Sequence, residues 1–294
     1  MSEIHESQSG YRENHSCHTS LIQLIDRCLT NINNNVFTGA IFIDFAKAFD
    51  VINRSLLIKK LNHYKLTTSA LRFIESFLSN RHQLVEINTT RSTLLPINFG
   101  VPQGSVLGPI LFLLYINDLP LHLKCCCEMF CDDSSLQSNN SSPLKLTEDL
   151  QVYINRLIEW TELNHMALNV QKTKCMYITT RQKREKMNDV FPPLYVNNNV
   201  INEVSSHKVL GVTIDNDLSW GAHINDLSKR ISKRTYQLSK IKNFLDEHSR
   251  KLFFNAHILP LINYASTIWD GASETNLKFI NRLYKRGLKL ILRK

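Results

Sequence analysis

The 294-residue sequence predicts an α+β chain that ends in a basic, all-helical region. Short apolar runs rich in β-formers alternate with stretches of helical spacing through the first two thirds of the chain. From Ser219 onward only the helical period remains. The charge is split in the same way. Lys229 to Lys294 holds 15 Lys+Arg against 4 Asp+Glu, while the whole chain is +9, so everything before Lys229 is slightly acidic.

Along the chain, Ser20–Leu29 puts Leu21, Leu24, Ile25 and Cys28 on one helical face. Ala40–Phe45 has the pattern of a buried strand. Ser55–Tyr64 predicts a helix with Ser55 as N-cap. Ser69–Leu78 predicts another, with Leu71, Ile74, Phe77 and Leu78 on one side. His82–Asn88 and Thr93–Phe99 alternate as a hairpin around Thr89–Ser92. Gly100–Gly108 is a loop punctuated by glycine and proline, and Pro109 then opens an apolar helix through Leu114.

Cys125–Phe130 and Ser134–Gln137 read as strands flanking Asp132-Asp133, followed by a polar loop over Ser138–Pro143. Thr147 is the expected cap of a helix with Leu150, Ile154, Leu157 and Ile158 in one stripe. Lys174–Thr179 and Lys208–Ile214 read as strands, and Arg181–Asp189 as an exposed, charged connection. Leu194–Val196 and Val200–Ile201 bracket a turn at Asn197–Asn199. In the last region Ile224, Leu227, Ile231, Leu238 and Ile241 face inward. Lys229, Arg230, Lys233, Arg234, Lys240 and Lys242 crowd the remaining surface.

Composition excludes several classes. The polar start, Met1 to Tyr11, has no signal-peptide core. The longest apolar run, Val106 to Ile116, falls well short of the roughly 20 residues of a spanning helix. Seven cysteines without a Cys-x-x-Cys pair predict reduced thiols and no zinc site, and the expected setting is intracellular with no membrane partner. His63, His82, His165 and His223 show no metal-ligand spacing.

The carboxylates are the candidate chemistry. Asp44 ends an apolar run, and Asp132 and Asp133 sit on a predicted hairpin turn. Mg²⁺ prefers hard oxygen donors and combines one or two carboxylates with substrate phosphates. Two such ions, about 3.5–4 Å apart, can drive an in-line displacement at phosphorus. In that reading Asp44 and Asp132 bridge both ions and Asp133 supports them. In the competing reading Asp44 caps the following turn and Asp132-Asp133 merely fill theirs. Spacing does not separate the two. Asp50 reads as a cap or orienting group for the helix after it.

Phe42 to Asp50 (Phe-Ile-Asp-Phe-Ala-Lys-Ala-Phe-Asp), Gly100 to Pro120 (Gly-Val-Pro-Gln-Gly-Ser-Val-Leu-Gly-Pro onward) and Phe130-Cys-Asp-Asp133 stand in order along the chain. Leu168 to Lys174 follows, then Val209 to Asp215 with Trp220 and His223, while Ser9 to Ser16 precedes them all. In these motifs the chain resembles the reverse transcriptase domain of non-LTR (LINE-type) retrotransposons, the jockey and CR1-like groups most of all. The resemblance implies a right-hand polymerase palm, an antiparallel sheet packed by helices. Partial fingers would cover 1–39, palm with finger-side insertions 40–218, and a basic helical thumb 219–294.

The same resemblance implies RNA-directed DNA polymerisation by two-metal nucleotidyl transfer. It brings two Mg²⁺ ions (or Mn²⁺), an RNA template, a DNA primer and dNTPs, in nucleus or cytoplasm. Asp44, Asp132 and Asp133 become the metal-binding catalytic carboxylates. Phe49 falls under the incoming sugar, where a ring excludes the 2′-hydroxyl that marks RNA. Gln103 reaches the incoming nucleotide, and Gly104 and Gly108 admit close backbone approach. Arg12 touches the triphosphate. Lys172, with Lys174 as its rival, protonates departing pyrophosphate. Leu210-Gly211 belongs to a primer-gripping hairpin, and the basic helices track a duplex backbone without reading sequence. Core packing for Phe49, loop geometry for the glycines and plain solvation for Arg12 and the lysines are the competing readings.

Against the family pattern, the chain begins inside the fingers, without the strand-rich Tyr-Arg-Pro-Ile-type segment, and has no C-terminal Cys/His knuckle. The alternative expectation is therefore a truncated, catalytically impaired remnant that still binds nucleic acid. Cys131 replaces a usual alanine, and Asn53-Arg54 replaces Asp-His, a change expected at the surface.

Overall fold

The computed structural model describes residues 4–187 and 190–292. Asn188 and Asp189, at the end of the expected charged connection, and Arg293 and Lys294 of the basic region lie outside the described residues, as do Met1, Ser2 and Glu3. The chain forms two compact units. One takes the chain through Ser20, Thr38–Cys175 and a segment ending at Glu203. The other takes Leu21–Phe37, a segment starting at Met176, and Val204 onward.

The first unit is a mixed α/β structure on a five-stranded sheet. Its strands stand in the order Asn202–Glu203, Lys174–Ile178, Phe37–Ile43, Asp133–Asn140 and Cys126–Phe130. Phe37–Ile43 is buried along its whole length, which is why its sequence, apart from buried Thr38, is apolar rather than alternating. Helix Pro143–Leu163 closes one side of it with Leu146, Leu150, Ile154, Leu157 and Trp160. At Gly39 a Cβ would fall 2.5 Å from Leu150 Cδ1, so a larger residue there would require that leucine side chain to shift. The expected antiparallel sheet is mixed: Asn202–Glu203 runs parallel to Lys174–Cys175, whereas Cys126–Phe130 and Asp133–Asn140 form an antiparallel hairpin.

Several local expectations are corrected where two residues compete for one role. Helix Arg54–His63 is capped by Asn53, whose extended backbone lets Oδ1 accept from Leu56 N–H at 3.0 Å; Ser55 is already helical. Thr147 lies a turn inside helix Pro143–Leu163 and donates its hydroxyl to the Pro143 carbonyl at 3.0 Å. Proline at the start of that helix removes one amide that would need a cap. The apolar helix starts at Leu107, two residues before Pro109, and runs to Ile116. The strand after Asp132 starts at Asp133 and continues to Asn140, replacing the first half of the expected polar loop. Arg181–Glu185, read as a plain connection, forms a short helix capped by Thr180.

The second unit is mainly helical. The expected strand Lys208–Ile214 is two strands, Ser206–Val209 and Val212–Asp215, folded at Leu210 and Gly211. Both turn residues have positive φ (44° and 85°), and the apolar run continues through them, so periodicity hid the turn. The Asp215 carboxylate accepts from Ser219 Oγ (2.9 Å) and Trp220 N–H (3.0 Å), fixing how the chain enters helix Gly221–Ile241. That helix buries Ile224, Leu227, Ile231 and Leu238 and leaves Lys229, Arg230, Lys233, Arg234 and Lys240 exposed. Helices Glu247–His257 and Glu274–Ile291 meet at Gly287, where a Cβ would lie 2.7 Å from the Phe254 ring. Buried Arg250 donates to the carbonyls of Ile291 (2.8 Å) and Leu245 (2.7 Å). No described helix is long and apolar enough to cross a membrane.

Candidate active site

Asp44 is the first residue past the fully buried strand. Its main chain is tied to the segment before Lys174. Ala46 N–H donates to the Ala167 carbonyl and Asn169 N–H to the Asp44 carbonyl, both at 2.8 Å. Asp44 N–H donates to the hydroxyl of buried Thr173 at 3.3 Å. These bonds hold the Asp44 backbone and carry Lys172, whose N–H donates to the Asn169 carbonyl at 3.1 Å. Lys172 is exposed, and its ammonium makes no hydrogen bond or ion pair among the described residues. Lys174 Nζ instead donates to the Gln171 carbonyl at 2.5 Å.

Asp132 lies on a two-residue turn, because Phe130 and Asp133 already face each other across the hairpin. Cys131, the other turn residue, is buried and has φ 60°, a conformation that side chains resist. Residues 7–9 run alongside the edge strand, with Ser9 N–H donating to the Met129 carbonyl and Met129 N–H to the Ser7 carbonyl, both at 2.8 Å. Between them Gln8, itself buried, turns its Oε1 to the turn and accepts from Cys131 N–H (3.0 Å) and Gly10 N–H (2.7 Å). Gln8 was not legible in the sequence. Its one signal is Gly10, where a Cβ would stand 2.6 Å from Cys131 N.

The three aspartates share one electrostatic field. Burial by the surrounding chain, then the charge of Asp132, then that of Asp44 push the Asp133 carboxyl above the usual carboxylate range. Burial, followed by the charge of Asp132, holds the Cys131 thiol up at about 12. Tyr11 is raised by burial and then by Cys131 and Asp132, which places it beside the same turn. Among the described residues, no three His, Cys, Asp or Glu side chains converge as a ready metal-ligand group. By donor chemistry the set nevertheless fits a hard divalent cation: it is three carboxylates, one of them raised by burial and then by the charges of the other two.

The residues expected around the nucleotide gather on a strapped loop. Gly100 N–H donates to the Ile52 carbonyl (2.8 Å) and Val101 N–H to that of Phe49 (3.0 Å). Gly100 has φ 75°, and a Cβ there would lie 2.7 Å from the Asp50 carbonyl oxygen. Arg54 clasps the loop from the other side, donating to the carbonyls of Ile97 (2.7 Å), Phe99 (2.9 Å) and Gly100 (3.0 Å). Arg54 is thus a structural strap rather than an idle surface change, and Asn53 beside it is the helix cap. Phe49 stacks on Phe112 with centroids 4.4 Å apart. Gln103 Nε2 donates to Asp50 Oδ1 at 2.8 Å, so Asp50 orients Gln103 and does not cap the helix.

Gly104 has φ 77° and open space where a Cβ would stand. Gly108 is hemmed in by the Pro102 carbonyl at 2.8 Å and serves its own loop. Arg12 folds back onto its own segment, donating to the carbonyls of Gln8 (3.0 Å) and His5 (3.2 Å).

Residues 1–214 match the family described as reverse transcriptase (RNA-dependent DNA polymerase). The chain is 26% identical over 299 residues to the probable RNA-directed DNA polymerase from transposon BS of Drosophila melanogaster. It is 24% identical over 299 residues to the RNA-directed DNA polymerase from mobile element jockey of the same species. These alignments take in 97% and 98% of this chain but 32% of each relative, so the chain spans about a third of their length. The solved telomerase from Candida albicans, in complex with a TWJ fragment of telomeric RNA, superposes with a TM-score of 0.50 at 13% identity. That likeness covers 97% of this chain and 54% of the telomerase chain and is one of fold. With the family pattern covering residues 1–214, the chain belongs to the reverse transcriptase (RNA-dependent DNA polymerase) family.

Proposed function

We propose that this chain is the polymerase core of a non-LTR retrotransposon and copies RNA into DNA from a primer, using dNTPs. The observation that carries the reading is the family match over residues 1–214, supported by the sheet order, which sets strand Phe37–Ile43, ending just before Asp44, beside strand Asp133–Asn140. In this reading residues 1–39 belong to the fingers, 40–218 to the palm and 219–294 to the thumb. The three aspartates would hold the divalent ions, Mg²⁺ or Mn²⁺. Bound there, such ions lower the barrier to 3′-hydroxyl attack and stabilise the leaving oxygen.

The protein's own share is positioning. The buried strand fixes where Asp44 stands, and the Gln8-held turn fixes Asp132. Lys172, exposed on the segment bonded to the Asp44 backbone, donates the proton to departing pyrophosphate. Phe49, braced by Phe112, presents a ring to the sugar and discriminates against a 2′-hydroxyl. Gln103 contacts the nucleotide from its Asp50-bound position, with Gly104 leaving open space beside it. The exposed cations of helix Gly221–Ile241 pair with backbone phosphates.

A second reading, nucleic-acid binding without efficient synthesis, draws on Arg12. Its guanidinium is committed to carbonyls of its own segment rather than held ready for a triphosphate. One assay separates the two. Purified chain is given a primed RNA template, Mg²⁺ and dNTPs beside an Asp132→Ala/Asp133→Ala control. Extension above the control supports the polymerase; salt-sensitive binding with no extension above the control rejects it.

A further inference from the structure

We infer that Gln8 is a positioning residue for Asp132, its side-chain oxygen holding the strained Cys131-Asp132 turn in the form that presents the carboxylate. The inference deepens the polymerase reading above and rests on it. Cys131 keeps φ at 60° although it carries a side chain, a conformation that strains an L-residue. It is also buried, so its N–H needs an acceptor, and its turn position gives it no ladder partner.

Gln8 Oε1 is that acceptor at 3.0 Å. The same atom takes Gly10 N–H at 2.7 Å, so one oxygen locks the turn to the segment beside it. The approach on the backbone side is equally close, since any Cβ at residue 10 would meet Cys131 N at 2.6 Å. The other half of the amide shows what is being selected. Gln8 Nε2 is buried with no hydrogen-bond partner among the described residues. An unmatched buried donor is destabilising, and an apolar residue would fill the space without that penalty. The position needs the oxygen.

The test uses the full chain with Gln8→Met, which keeps the volume and loses the acceptor. Three quantities are read: amide hydrogen exchange at Cys131-Asp132, Mn²⁺ affinity by electron paramagnetic resonance, and single-nucleotide addition. The expected result is faster exchange at the turn and Mn²⁺ affinity weaker by about tenfold. The rate of addition should fall by about 10–100-fold, with the dNTP KM within about twofold of wild type. Unchanged exchange and Mn²⁺ affinity would overturn the inference. So would a loss carried by KM alone, which would put Gln8 at the nucleotide instead.

Should Gln8→Met fail to fold, Gly10→Ala pushes the same turn from its backbone side and is judged on the same readouts. A wild-type chain that binds Mn²⁺ but extends no primer would reject the polymerase reading. The exchange and Mn²⁺ measurements would then still decide the role of Gln8.

Discussion

Gln103 Nε2 sits 2.8 Å from Asp50 Oδ1, so the residue expected to meet the nucleotide is oriented by a carboxylate from the first motif. The pair is exposed, which limits its contribution to stability, but it restricts where the amide points. Asp50→Ala should raise the dNTP KM by about threefold to tenfold with kcat nearly unchanged, the signature of lost uniform binding. In the Asp50→Ala background, Gln103→Ala should add little. A double-mutant cycle on steady-state kinetics checks the coupling, and full additivity would show that the two residues act separately.

The two lysines of the Asn169–Lys174 segment should differ in their effects. Lys174 Nζ already donates to a backbone carbonyl, while Lys172 is exposed and unpaired among the described residues. Lys172→Ala is expected to slow single-nucleotide addition by about a hundredfold, the usual worth of a general acid. Lys174→Ala should stay within about threefold of wild type. Rapid-quench measurement of the first addition distinguishes them, and the reverse ranking would transfer the role to Lys174.

Asp133 gives a pH prediction with a definite sign. Its folded-state pKa lies above the unfolded value, so the folded chain takes up a proton before the unfolded one does. Its contribution therefore destabilises at neutral pH and fades as pH falls through the raised value toward the ordinary aspartate pKa near 3.9. Asp133→Asn should melt slightly above wild type at neutral pH and show a flatter melting profile in that acidic window. Polymerisation should drop at least about a hundredfold in the same variant. Calorimetry across pH, beside primer extension, tests both halves.

Arg54 should prove a stability residue. Removing it takes donors from three loop carbonyls at once. Arg54→Ala should cost about 2–4 kcal/mol in chemical denaturation, since each unmatched buried group is worth roughly 1–3 kcal/mol and these are only partly buried. Asn53→Ala, which removes one cap bond, should cost about 1 kcal/mol.

The basic helix predicts a salt signature. Reversing Lys229, Arg230, Lys233 and Arg234 to Glu should weaken nucleic-acid binding regardless of sequence. It should also flatten the slope of log Kobs against log salt by about one for each phosphate that is no longer neutralised. An unchanged slope would mark those cations as solvated surface.

What the sequence revealed follows a physical rule. The later part of strand Phe37–Ile43 was legible, within the expected Ala40–Phe45, because a strand buried on both faces is mostly apolar. Its start was not, since Thr38 and Gly39 interrupt the apolar run. The stripe of helix Pro143–Leu163 was legible because that helix buries one side. The carboxylates were legible as motifs. Helix starts failed where polar neighbours competed, as with Asn53 against Ser55, since the choice depends on backbone angles that composition does not encode. Periodicity missed the turn at Leu210-Gly211 because the apolar run continues through it, and only the resemblance placed a hairpin there. Gln8 and Arg54 were missed for a different reason: each acts on backbone atoms far along the chain, 123 positions away for Gln8, and leaves no periodic trace.

The Cys131 turn also has a practical consequence for spectroscopy. A thiol held at about 12 by burial and by its aspartate neighbours stays protonated, and alkylating reagents attack only the thiolate. Maleimide dyes and nitroxide labels will therefore bypass the residue next to Asp132. Partly exposed Cys17 offers a more accessible attachment point. Confining a fluorophore to Cys17 therefore means replacing Cys126, which is likewise partly exposed, and not the cysteine that sits beside the carboxylates.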